Sequence, residues 1–246
     1  MSVQYDKIAK QYDSTEEVIS KKYVYKPTFV YLLSSLNGEK AIDLACGSGY
    51  STRILKEITK AKYVLGVDLS KEQIKLAQAH EKDSPLSIDY KVFDVAKKLP
   101  AGIGQFSIVS AMFLLHYSAT KTQLEQMCKN IYDLLEDNGT FVTVNSNPDL
   151  TEFPFKKYEV TQKVIPPYVS GTKRTVTYSK DGIDICSFES YYWTKSDYER
   201  ALSKAGFKKI EWLDPVISQE GFDKFGQEFW SDYLKLKPVI AIRCKK

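Results

Sequence analysis

The chain has 246 residues, a formal charge of +4, 43% hydrophobic and 27% charged residues, a balance ordinary for a globular protein with one core or two. Its lysines are scattered with no basic run, which argues against a nucleic-acid partner, and its longest apolar run, "IVSAMFLLHY", is only about half a membrane span, so no membrane partner is expected. The opening residues lack an apolar signal core, and the cysteines at 46, 128, 186 and 244 form no CxxC pair and lie far from both histidines, so the expectation is a cytoplasmic protein with reduced thiols and no metal.

The first segment, "YDKIAKQYDSTEEVISKKY", is amphipathic, with Tyr5, Ile8, Ala9 and Tyr12 at helical spacing. Pro27 suits the first turn of a second helix, which "LNGEK" ends. From residue 40 strands and helices alternate. "KAIDLA", "YVLGVDL", "SIDYKVFDV", "FSIVSAM" and "TFVTVNS" read as strands; "STRILKEIT", "SKEQIKLAQAH" and "TKTQLEQMCKNIYDLLEDNG" read as helices, the last closing near Gly139. Ser70 with Gln73, and Thr120 with Gln123, have capping-box spacing. The alternation predicts an α/β fold with a doubly wound, mostly parallel sheet.

Residues 154–193 change to period-two alternation with a Lys-Asp-Gly turn, which predicts an antiparallel β insertion. Its aromatics, Phe153, Tyr168 and the "YYW" at 191–193, suit either stacking on a planar molecule or packing of the hairpin itself. "TKSDYERALSKAGF" restores a helix, with Thr194 as N-cap and Gly206 just past its end. "KKIEWLD" reads as a strand, "GFDKFGQEFWSDYL" as one helix and "PVIAIRC" as the last strand.

The stretch "AIDLACGSGYSTRIL", residues 41–55, sits at the first strand-to-helix turn, where open parallel sheets bind ligands. Gly47 and Gly49 strip the backbone so that a ligand can approach. No Gly-Lys-Ser/Thr follows, which excludes a P-loop. The third glycine of a dinucleotide fingerprint is missing, and Asp43 would repel a pyrophosphate. The same carboxylate suits an ammonium group. Asp68 ends the second strand, where it can accept from ribose hydroxyls, and Asp94 ends the third, where it can accept from an adenine amino group. Three acids at successive strand ends fit S-adenosylmethionine, an adenosyl ligand with a cationic amino-acid tail.

These residues, with "FSIVSAMFLLHY" and "LLEDNGTFV", resemble the class I S-adenosylmethionine-dependent methyltransferases over roughly residues 40–145. The resemblance implies a seven-stranded, Rossmann-like sheet with its last strand antiparallel. The opening "QYDKIAKQYD" is similar to the N-terminal helix of small-molecule methyltransferases. "YYWTKSDYERALSKAGFKKIEWL" and "GFDKFGQEFWSDYLKLKPVIAI" resemble the toxoflavin-biosynthesis group. What this implies is one domain over 1–246: an N-terminal helical lid at 1–36, a cofactor-binding core at 37–148, an acceptor-side insertion at 149–193 and the rest of the core at 194–246.

The resemblance further implies that Asp43, Ala45, Gly47, Tyr5 and Tyr12 meet the methionine end, Tyr5 also reaching the methyl group. Leu69 joins Asp68 at the ribose, and Val95 joins Asp94 at the adenine. Met112, Phe113 and His116 follow strand four, where the acceptor is met; Met112 also borders the cofactor. Cys46 reads as a packing residue. His116 is the candidate general base, with acceptor positioning and a structural role as the alternatives. The reaction expected is in-line methyl transfer to a nitrogen or oxygen of a small planar or apolar metabolite by a monomer or homodimer, with the subgroup leaning the choice toward nitrogen. A methyltransferase acting on RNA or protein, or a non-catalytic S-adenosylmethionine-binding protein, is the alternative.

Overall fold

In the computed structural model, which describes residues 2–246 and side chains from Tyr5 onward, the alternation that starts at residue 40 closes into one sheet. Met1, the first residue of the expected lid, lies outside the described residues. Five parallel strands, β1 (Lys40–Leu44), β2 (Tyr63–Asp68), β3 (Ile88–Val92), β4 (Phe106–Met112) and β5 (Leu135–Ser146), are joined by helices α3 (Tyr50–Thr59), α4 (Lys71–Asp83) and α5 (Lys121–Leu134). The chain then returns through α6 (Lys195–Ala205) to β10 (Lys209–Leu213) and finally to β11 (Val239–Lys245). The spatial order is β10-β11-β5-β4-β1-β2-β3, and β11 runs antiparallel to both of its neighbours. This is the expected seven-stranded sheet with its last strand reversed.

The order turns round between β1 and β4, so the carboxyl ends of these strands open a crevice at the topological switch point. Both faces of the sheet are covered. Ile54, Leu55 and Ile74 join Phe29 and Leu33 on one side, while Leu124, Met127, Ile131 and Leu202 pack on the other. That is why the central strands read as continuous apolar runs with no alternation.

A second sheet, β6 (Glu152–Phe153), β7 (Val160–Val164), β8 (Lys173–Lys180) and β9 (Ile183–Tyr191), is antiparallel throughout. Its tight turn places Asp181 and Gly182 at φ of 51° and 81°, the backbone that an Asp-Gly hairpin supplies. Helix α1 (Ser2–Asp13) crosses from α4 to β9, and a π-helical turn at Lys21–Tyr25 leads into α2 (Lys26–Leu33), with Pro27 in its first turn.

Two helix boundaries differ from the sequence reading. Helix α5 ends at Leu134, five residues before Gly139, because Leu135 already pairs with Phe106 of β4. The Lys246 ammonium donates to the freed carbonyls of Tyr132 and Leu135. The stretch expected as one helix from Gly221 is three pieces: α7 (Gln219–Phe225), a 3-10 turn at Glu228–Trp230, and α8 (Ser231–Leu236). The break turns Trp230 inward, where it is fully buried, donates from Nε1 to the Gly221 carbonyl and stacks on Tyr158.

The caps also sort themselves. Ser70 and Thr120 accept from the backbone of Gln73 and Gln123, but neither glutamine returns a bond to the cap residue. Thr194 and Asp197 form the reciprocal box, and Gly206 ends α6 at a φ of 124°. Thr194→Ala should therefore cost about 1 kcal/mol and lower the thermal midpoint by about 2–4 °C. Thr194→Ser should hold the wild-type midpoint. A wild-type melt for the alanine variant would remove the cap from the stabilising contacts.

Candidate active site

The turn after β1 has an unusual backbone: Ala45, Gly47 and Gly49 all lie in the left-handed region. Asp68, the last residue of β2, holds it in place. One carboxylate oxygen accepts from the Gly47 N–H at 2.9 Å and the other from the Ser70 N–H at 2.8 Å. Burial pushes the Asp68 carboxyl pKa up, and these backbone bonds oppose the shift.

Above this turn lies a cleft of about 790 Å³, part of it open to solvent. Tyr5, Tyr12, Ala45, Gly47, Asp68, Leu69, Asp94, Val95 and Met112 all line it, so most of the sequence candidates meet around one space. Asp94 accepts from the Ala96 N–H at 3.0 Å, which holds its carboxylate at the wall. Tyr5 and Tyr117 share a hydroxyl–hydroxyl hydrogen bond across it.

Two candidates do different work. Asp43 is fully buried and lines none of the cavities described here. Its oxygens accept from Ser51, Thr52 and Ser110 at 2.7–2.8 Å, tying α3 and β4 to β1. It is a strut behind the turn, not a group facing an ammonium. Gly49 N-caps α3, and a Cβ there would stand 2.6 Å from the Tyr90 hydroxyl. Its missing side chain serves packing against β3, whereas Gly47 opens to the cleft.

The structure adds residues that the sequence reading passed over. Gln73 lines the cleft, is 1% exposed, and has neither amide atom partnered. Its spacing from Ser70 in sequence predicts only half of a capping box. A second recess shares Tyr12, Ala45, Gly47, Met112 and Phe113 with the cleft and adds Ser48, Tyr50, Glu16 and Lys21. The Lys21 ammonium is buried, donates to Thr15 Oγ1 at 2.6 Å and lies 4.0 Å from the centre of the Tyr12 ring. Burial lowers its pKa to about 8. Burial also raises the Glu16 carboxyl.

His116 lies outside the cleft, in an inner chamber formed against the second sheet. Tyr12, Phe113 and Tyr117 are common to the two spaces. Phe113 turns at a φ of 59°, a costly backbone for a bulky residue, held by its N–H bond to the Val144 carbonyl at 2.8 Å. Of the insertion aromatics, Phe153 is buried in the core, Tyr168 is exposed, and Tyr192 and Trp193 bond to the carbonyls of Pro148 and Ser118. The chamber is walled instead by Tyr178 of β8 and Phe188 of β9. Among the described residues no group of histidine, cysteine and acidic side chains could hold a metal ion.

Residues 41–139 match the family model described as "Methyltransferase domain". The chain is 25% identical to an uncharacterized protein of Haemophilus influenzae, covering 98% of this chain and 92% of that protein. It is 26% identical to a ubiquinone biosynthesis O-methyltransferase of Bordetella avium, covering 55% of each, so it spans about half the length of that relative. A crystallised S-adenosylmethionine-dependent methyltransferase of Clostridium acetobutylicum superposes with a TM-score of 0.65 at 18% identity, covering 96% of this chain and 97% of that one, which shows a common fold.

Burial of Asp43 holds its carboxyl at about 6, above the ordinary carboxylate value. The unfolded chain therefore loses this proton first, and stability falls as pH rises from about 4 through about 6, by about 3 kcal/mol in all. Asp43→Asn should lack that component. The difference between wild type and variant, read from urea unfolding, should shift across this window and level off above it. A constant difference would show that this proton is not linked to folding.

Proposed function

We propose that this chain is a class I S-adenosylmethionine-dependent methyltransferase that transfers a methyl group to a nitrogen or oxygen of a small planar metabolite by in-line displacement. The carrying observation is that the Asp68-floored cleft and the inner chamber meet at Tyr12, Phe113 and Tyr117, which would give donor and acceptor separate spaces with a common junction. The bound cofactor would supply an activated methyl group on a sulfonium.

Three observations support the fit. The cleft wall carries a buried amide, that of Gln73, with no partner among the described residues. Asp68 and Asp94 line it as carboxylates able to take the ribose hydroxyls and the adenine amino group. The adjoining recess presents a buried cation and a carboxylate, Lys21 and Glu16, to a zwitterionic amino-acid tail. Lys21 would take the tail carboxylate and Glu16 its ammonium, the role that Asp43 cannot fill. Tyr5, Tyr12 and α1 would close over the ligand as the lid.

The remaining task of the chain is alignment, which is worth up to about 7–11 kcal/mol in model reactions. The half-buried rings of Tyr5, Tyr12 and Tyr117 exclude water from the junction. His116 has its pKa held near 3 by burial, assisted by Arg174. It is therefore a poor base and a good neutral hydrogen-bonding partner, which favours acceptor positioning over proton removal.

A metabolite screen for S-adenosylhomocysteine release tests the activity directly. In binding calorimetry, Asp68→Ala should weaken S-adenosylhomocysteine about 10- to 150-fold, the loss of a charged hydrogen bond worth about 1.5–3 kcal/mol. An unchanged affinity would remove the ribose assignment. Amide exchange in residues 5–25 should slow on adding S-adenosylhomocysteine, and equal exchange with and without it would argue for a permanently docked helix.

A further inference from the structure

The inner chamber spans about 350 Å³, part of it open to solvent, between the turn after β4, the ends of β5 and β11, and the second sheet, and its lining includes no carboxylate. Tyrosine and phenylalanine make up half of its lining residues, a surface suited to a flat molecule. His116 faces it at 2% exposure, with both ring nitrogens unpartnered. A neutral imidazole has one donor and one acceptor, and both are costly to leave unmet in a buried site.

Arg174 of β8, also 2% exposed, lies near enough for its charge to act on the His116 ring. Its Nη2 donates to the carbonyls of Asn147 and Leu150 at 3.3 and 3.2 Å, and its Nε has no partner. Among the described residues, no carboxylate forms an ion pair with it, and tyrosines 198 and 192 are the groups that act on its charge. A buried guanidinium without a counter-ion disfavours a cationic acceptor nearby and favours an anionic one.

The groups facing the chamber also bear on which acceptor can react there. Burial raises the hydroxyl pKa of Tyr12, Tyr25, Tyr117 and Tyr178, and His116 is a weak base. Ser146 and Gln162 do not titrate in this range. The Lys21 amine lies over the rings of Tyr12 and Tyr178, two of the chamber's lining residues, and donates to Thr15. An alcohol acceptor would have no group here to take its proton, whereas a carboxylate arrives ionised.

Resting on the methyltransferase reading above, we propose that the inner chamber takes its acceptor as a planar carboxylate, one oxygen accepting from a His116 ring N–H with the Arg174 charge nearby, and the other oxygen receiving the methyl group. A lone pair on that second oxygen forms the new O–C bond as the C–S bond breaks and its electron pair returns to sulfur. The products are a methyl ester and a neutral thioether, and no proton moves.

The test uses the whole chain saturated with S-adenosylhomocysteine and three probe sets of matched shape: benzoate and 2-naphthoate, their amides, and the corresponding arylmethylamines. Calorimetry should show the carboxylates binding about tenfold or more tighter than the amides, with the amines weakest. With S-adenosylmethionine, mass spectrometry should find the methyl ester. Arg174→Met and His116→Phe should each abolish the preference for the acid over its amide, while Arg174→Lys and His116→Asn should keep part of it. S-adenosylhomocysteine affinity, measured in every variant, serves as the control for folding. Equal binding of the three sets, tighter binding of amides or amines, or no binding of any probe overturns the proposal while leaving the methyltransferase reading in place. Failure of the wild-type chain to bind S-adenosylhomocysteine overturns that reading instead.

Discussion

One carboxylate holds the ligand-binding end of this molecule together. Asp68 accepts from the Gly47 N–H on one side and the Ser70 N–H on the other, so it joins the turn after β1 to the start of α4. The turn needs such a clasp because Ala45 is held at a φ of 58°, where a side chain is strained. Ser70 carries the bond outward: its hydroxyl caps α4 and donates to Asp6 of the N-terminal helix. The floor of the cleft, the helix beside it and the segment above it are thus linked through two hydrogen-bonding residues, Asp68 and Ser70, on either side of Leu69.

Much of this was legible in the sequence because it depends on local rules. Strand and helix alternation, the Asp-Gly hairpin, Pro27 in a first turn and Gly206 at a helix end each follow from short-range backbone preferences. Asp68, Leu69, Asp94 and Val95 reach the cleft because they lie at or just beyond the ends of β2 and β3. Asp43 misled for a geometric reason: it lies one residue before the end of β1, opposite Ser110 of β4, so its side chain points into hydroxyls of the fold. Gly49 misled because its neighbour is Tyr90, 41 positions away in sequence, and no local pattern announces that approach.

The chamber residues were hidden for the same kind of reason. Along β8, Arg174, Val176 and Tyr178 are buried while Thr175 and Thr177 are half-exposed, and along β9 Cys186, Phe188 and Ser190 are buried. Period two marks these as an inward face. It does not say that the facing surface is α1 and the end of β4, since that depends on how the second sheet docks. Aromatic clustering in sequence, at 191–193, was the weaker guide; the inward period-two face is the one that carries Tyr178 and Phe188. Lys21 gave no signal either, because a lone lysine in an amphipathic segment reads as solvated until its burial is seen.

Tyr12 and Phe113 border the cleft, the recess and the inner chamber alike. A ring shared by three spaces cannot turn to suit one occupant without reshaping the other two. Tyr12 is further constrained by edge contacts with Tyr5, Tyr178 and Phe188, and by the ammonium of Lys21. On the proposed reading, donor and acceptor binding would therefore not be independent events. Whichever ligand fixes these rings first spares the second the cost of ordering them, and thermodynamic linkage makes that coupling free energy the same in either order of addition. On that reading, cooperativity between the two ligands would follow from a wall they hold in common, with no need for a movement between distant parts of the fold.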